Sequence, residues 1–183
     1  MKILVLGIGN ILFGDEGIGV HLTHFLKVSY EFTPIEKSSD ITLDFIDGGT
    51  MAQMLIPLIT SYDKVLIFDC VSVGNGNIGD VYAFSFDKIP NVITWAGSAH
   101  EVEMLQTLRM IELSGDLPPV FIIGIIPEVI GEDTAFTLSE EVKRGAKVME
   151  SKAIEFLEQN GLRANKIAYL DLQEVANTSF RGF

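Results

Sequence analysis

Short runs of apolar, β-favouring residues recur along the chain, separated by stretches of helical spacing. Ile3 to Ile8, Ile41 to Ile46, Lys64 to Asp69 and Val120 to Ile126 have strand length and few polar interruptions, as strands buried on both faces do. After the first run, Ile18, Leu22, Phe25 and Leu26 share one helix face, with His21, His24 and Lys27 on another. That spacing predicts a solvated face for the two histidines. Met51 to Ser61 predicts a helix disturbed by Pro57, and Ser98 to Leu113 a second. Ser139 to Gln159 predicts a third, stopped by Asn160-Gly161. Asp80 to Phe86 alternates as an antiparallel edge strand would. Glu31 to Asp40, with Pro34, reads as a loop, and so does the Gly- and Asn-rich Val71 to Gly79. Strand and helix in alternation predict a layered α/β domain with a mostly parallel sheet. A single domain spans 1–183; residues 162–183 form a tail with an alternating piece at Ile167 to Leu172.

Composition narrows the partners. At 183 residues, 48% of them hydrophobic and 21% charged, the chain is long enough for one proper core. A formal net charge of −12 argues against nucleic acid or an anionic membrane surface, and suits a metal cation or a basic partner segment. The single cysteine, Cys70, excludes an intrachain disulfide and a Cys-rich zinc site. With no signal-peptide pattern and no apolar stretch of bilayer length, the expectation is a cytoplasmic protein without membrane insertion.

The glycine-rich stretch Gly7 to Gly19, between the first strand and its helix, has the layout of a phosphate loop but the wrong side chains. From Gly9 the spacing G-x-x-x-x-G is present, yet Asp15 and Glu16 stand where Lys and Ser or Thr belong. Leu12 occupies the third glycine of a G-x-G-x-x-G fingerprint. Adjacent carboxylates repel phosphate and attract cations, so the loop reads as a cation site.

Sites in open parallel sheets form outside the carboxyl ends of the strands. Glu16, Asp47 and Asp69 fall there, after the first, second and third strands. Each has a plainer reading: Asp15 as N-cap of the next helix, Asp47 as shaper of the Gly48-Gly49 turn. The acid closing Lys64 to Asp69 is costly to bury unless paired or liganded. His100 is the candidate fourth member. Ser98-Ala99-His100-Glu101 has the form of a capping box, which sets His100 in the first helical turn, where the dipole favours the neutral, metal-ligating imidazole. No H-E-x-x-H is present, since Met104 fills its last place, and Ser98 lacks the G-x-S-x-G elbow. Cys70 reads as a buried strand-end cysteine rather than a nucleophile. One imidazole with two carboxylates suits zinc, manganese, iron or nickel, with coordination positions left open.

Gly7-Ile8-Gly9-Asn10, Gly14-Asp15-Glu16-Gly17-Ile18-Gly19, Asp47-Gly48-Gly49-Thr50, Phe68-Asp69, the His100 helix and Gly124-Ile125-Ile126-Pro127-Glu128 occur in one order. In that order they resemble the [NiFe]-hydrogenase maturation endopeptidases, from the first strand to Gly161. The resemblance implies a three-layer fold, a twisted, mostly parallel sheet with helices on both faces. It implies an aspartic-type endopeptidase that removes the C-terminal peptide of a hydrogenase large-subunit precursor after nickel insertion. Glu16, Asp69 and His100 are then metal-binding and catalytic, and Asp47, Gly48 and Gly49 contact substrate. The nickel is carried by the substrate, and no organic cofactor is expected. Glu101 stands where family members often have Gln, and the tail after Gly161 matches no family element.

A nickel-dependent maturation chaperone or checkpoint would use the same ligands without cutting. A peptidyl-tRNA hydrolase shares a G-x-G-N element, but its RNA phosphates fit poorly with a chain of −12. A nucleotide-binding protein is disfavoured by the same carboxylates.

Overall fold

The structure, a computed structural model, describes residues 1–36, 38–90, 93–94, 99–128 and 134–181; at 93–94 and 99–103 it describes the backbone alone. In chain order the elements are β1 (Lys2–Ile8), α1 (Ile18–Ser29), β2 (Tyr30–Pro34), β3 (Thr42–Gly49), α2 (Ile56–Ile59), β4 (Lys64–Cys70), β5 (Ser72–Val73) and β6 (Val81–Ser85). There follow β7 (Ile93–Thr94), α3 (Ala99–Ser114), β8 (Val120–Ile125), α4 (Glu140–Gln159), β9 (Leu162–Lys166) and α5 (Leu172–Ala176).

The main sheet has the order β3-β1-β4-β8-β6, parallel except for β6, which runs antiparallel to β8 at the edge. Side-chain alternation divides it between two cores. Ile3, Val5, Leu66, Phe68, Ile123 and Ile125 join the cluster beneath α1, α4 and α5. Leu4, Leu6, Val65, Ile67, Val120 and Ile122 join the one beneath α2 and α3. Both faces are covered, which is why the interiors of β1, β4 and β8 are apolar apart from Asp69.

The strong periodic elements match the sequence reading: Ser139 is the N-cap of α4, its hydroxyl accepting from Val142 N, and β6 is the antiparallel edge. Four expectations need correction. Glu31 to Asp40, expected as a loop, starts within the strand Tyr30–Pro34, which pairs with β9, and Pro34 closes its end, where a missing N–H costs little. The expected Met51 to Ser61 helix is a 3-10 turn, Ala52–Leu55, followed by the single turn of α2; Pro57 sits in the first turn of α2 and starts it. Val71 to Gly79 contains β5, paired with β7. In the tail, the strand is Leu162–Lys166, and Asp171 caps the short α5 rather than extending an alternating piece.

Candidate functional site

Strands β1 and β4 are neighbours, and the chain leaves β1 toward β3 on one side but β4 toward β8 on the other. This is the sheet's topological switch point, where a crevice opens at the carboxyl ends. Glu16 lies in the 3-10 turn Gly14–Gly17 between β1 and α1, and is half-buried. Asp69 lies at the carboxyl end of β4, only 2% exposed, with Oδ1 accepting from Cys70 N at 2.8 Å.

The glycines set how closely the turn approaches the strands. A Cβ on Gly19 would lie 2.3 Å from the Ile8 carbonyl oxygen and 2.6 Å from that of Phe68. The first turn of α1 is thus pressed onto the ends of β1 and β4 together, the closeness any side chain would forbid. Gly9, at φ +142°, takes a conformation open to glycine, and its added Cβ would meet the Glu16 carbonyl oxygen at 1.8 Å. The glycine pattern serves backbone packing around Glu16.

Asp15 does not cap the following helix. The N-cap of α1 is Gly17, without a side-chain bond. Asp15 is completely buried and accepts from Glu128 N (3.1 Å), Ser139 N (2.8 Å) and the Ser139 hydroxyl (2.7 Å). One carboxylate therefore fastens the turn carrying Glu16 to the end of β8 and to the start of α4. No local pattern could reveal this, because the donors lie 113 and 124 residues away.

Asp47 is exposed at the end of β3, and its Oδ1 accepts from Gly49 N at 2.8 Å, the turn-shaping contact. Gly49 at φ +57° then offers its carbonyl oxygen to Gly9 N at 3.0 Å, coupling this turn to the glycine-rich stretch. Asp47, Gly48 and Gly49 thus stand beside the crevice on the β3 side. The backbone of His100 lies in the first turn of α3, while its side chain, and the Ser98 and Glu101 side chains of the expected capping box, fall outside the described residues. Among the described residues, no three His, Cys, Asp or Glu side chains form a metal-holding group.

The two histidines of α1 are not on a solvated face. His21 is 2% exposed and His24 is half-buried, both covered by the C-terminal tail. The Ser179 hydroxyl donates to the Val175 carbonyl (3.2 Å), so the Nδ1–H of His21 donates to it at 2.9 Å. Burial, with His24 adding repulsion, pushes the His21 pKa down to about 4. Its other edge abuts the site turn, since a Cβ on Gly17 would lie 2.7 Å from Nε2. A tail that closes over α1 was not legible from the helical wheel alone.

Cys70 is buried, its thiol 3.5 Å from the Asp15 carbonyl oxygen. The crevice therefore offers carboxylates at a switch point and a sheltered thiol. Such an arrangement can bind a cation or take a proton from water.

The sequence model of the HycI family, described as hydrogenase maturation protease, matches residues 20–156. Protein HydD of Wolinella succinogenes is 53% identical over 164 residues, covering 90% of this chain and 100% of that one. The hydrogenase 2 maturation protease of Escherichia coli K12 is 28% identical over 142 residues, 77% of this chain and 82% of its own. Among solved structures, the hydrogenase maturating endopeptidase HybD from E. coli superposes with a TM-score of 0.76 over 91% of this chain and 98% of that chain; at 24% identity it speaks to the fold. The [NiFe] hydrogenase maturation protease HybD from Thermococcus kodakarensis has 26% identity and a TM-score of 0.61 over 88% of this chain and 99% of its own. The chain belongs to the hydrogenase maturation protease family and is a hydrolase of peptide bonds.

Proposed function

We propose that this endopeptidase removes the C-terminal peptide of a [NiFe]-hydrogenase large-subunit precursor after nickel has been inserted, and that it works in the cytoplasm. The observation that carries the reading is the pair Glu16 and Asp69, one in the turn that follows β1 and the other at the end of the adjacent parallel β4, at the switch point. With His100, at the start of α3, they would hold nickel that arrives as part of the substrate. The scissile carbonyl is then positioned beside that metal. One carboxylate takes a proton from the attacking water, and the same proton passes to the leaving amine. No acyl-enzyme is needed, which accords with the buried Cys70 thiol turned toward a backbone carbonyl.

The test is a gel assay of precursor shortening, with nickel-loaded and nickel-free precursor. Only the loaded form is expected to shorten, and Glu16→Ala, Asp69→Ala and His100→Ala each to slow it by about 100-fold or more. Cys70→Ala is expected to cut normally. Binding of loaded precursor without shortening would favour the checkpoint role instead. A folded Cys70→Ala that no longer cuts would overturn the water mechanism.

A further inference from the structure

We propose that the outer edge of β6 takes up an extended segment of another protein as an added strand of the main sheet. Aliphatic side chains of that segment enter the groove beneath α4, and a carboxylate reaches Lys64. The groove lies toward the amino ends of β4 and β8, away from the crevice, and its occupant is not the peptide that is cut.

The backbone of this edge is open. The Asp80 carbonyl accepts from Ile126 N at 3.0 Å, and the register pairs Val81 with Ile125 and Ser85 with Phe121. Bonded pairs alternate along an antiparallel ladder, so Tyr82 and Phe84 turn their backbone groups to β8. Val81, Ala83 and Ser85 turn theirs outward. Ser85 caps the 3-10 turn Phe86–Lys88, which uses its carbonyl. The three N–H groups and the carbonyls of Val81 and Ala83 meet no bonding partner among the described residues. Neither charge nor proline guards them, whereas β3, at the other edge of the sheet, carries Asp44 and Asp47. An exposed ladder of this kind binds an extended peptide through its main chain.

The groove beside it sets which peptide fits. A Cβ on Gly145 would lie 2.4 Å from the Gly79 carbonyl oxygen, so α4 is pressed onto the chain entering β6. Farther along, α4 follows β8, with Phe156 stacked on Phe121 at 5.3 Å. A groove of about 900 Å³ is left between Ala83 and Phe121 on the sheet and Val148 and Phe156 on the helix. Cross-strand partners share a face, so residues bonded to Val81 and Ala83 from outside would also point into this groove. Its half-buried cation is Lys64, which donates to the Asn160 side-chain oxygen at the C-cap of α4 and meets no carboxylate among the described residues. The exposed Lys152 is already paired with Glu155. A second copy is the poorer occupant: its β6 would offer only Val81, Ala83 and Ser85, leaving the groove unfilled and Lys64 unmatched, and both copies carry −12.

The test is fluorescence anisotropy with a tagged peptide, acetyl-Glu-Thr-Val-Thr-Val. Antiparallel to β6, it sets Glu opposite Ser85 and the two Val opposite Ala83 and Val81. Binding is expected with a Kd of about 100 μM. Lys in place of the Glu, or an N-methyl group on the central Val, should weaken it about tenfold. Lys64→Gln should erase the preference for Glu over Lys, and Ala83→Pro should weaken the Glu peptide about tenfold. The N-methyl peptide needs no variant and decides the matter should Ala83→Pro melt early. No binding at about 1 mM, or equal binding of the N-methyl peptide, overturns the proposal. So does a wild-type dimer in sedimentation that Ala83→Pro dissociates, since the edge then belongs to a second copy.

Discussion

Asp15 and His21 are six positions apart, both are buried, and they are held in opposite ways. Asp15 is enclosed by three donors, from the segment after β8 and the cap of α4. His21 meets a hydroxyl from the tail and settles for neutrality. A buried carboxylate must be met by several hydrogen bonds, whereas an imidazole can shed its charge. The first arrangement fixes the turn bearing Glu16 from the sheet side; the second braces the same turn from the tail side.

The sharpest way to break that comparison is Asp15→Ala, which strands two backbone amides and a hydroxyl. A loss of about 3–5 kcal/mol in urea unfolding is expected. Asp15→Asn should recover part of it, since one amide oxygen can still accept. A loss under about 1 kcal/mol would mean that the three donors find water instead.

The next effect depends on pH. The folded pKa of His21 is depressed, so the unfolded chain takes up the proton first. Its contribution is present in full above the unfolded value near 6.5, and is lost as pH falls toward about 4. About 3 kcal/mol is lost over that window, a slope near 1.4 kcal/mol per pH unit. Urea unfolding at pH 7 and pH 5 reads it directly, and His21→Gln should flatten the difference. An equal slope in both proteins would assign the pH response to other groups.

Ser179→Ala gives the smallest change. It leaves the Nδ1–H of His21 without its hydroxyl and should cost about 1 kcal/mol at pH 7. Precursor cleavage should fall less than in Glu16→Ala. A drop as large as that from Asp15→Ala would make the tail an equal partner in holding the turn.

What could be read from sequence follows the range of the forces. The runs Ile3 to Ile8, Lys64 to Asp69 and Val120 to Ile126 are buried on both faces, so their composition alone announced strands, and Ser139 and Gly161 marked the limits of α4. Glu16 and Asp69 stood out because carboxylates among glycines and at the end of an apolar strand are costly to leave uncompensated, and the structure sets them in the turn after β1 and at the end of β4. Tyr30–Pro34 was missed because its partner lies at Leu162–Lys166, and a polar strand paired in a two-stranded ribbon carries no period strong enough to find. His21 was missed for a related reason: helical spacing identifies the face toward the sheet, but a tail can bury the other side as well.

The ribbon of β2 and β9 also sets an order of events. The first helix is made early, yet its outer side acquires a cover only when residues 162–179 exist to wrap it. During synthesis the sheet and its two cores can assemble strand by strand, while His21 stays in water and free to carry a proton. Below about pH 6.5, closing residues 162–179 over α1 is therefore also the release of a proton.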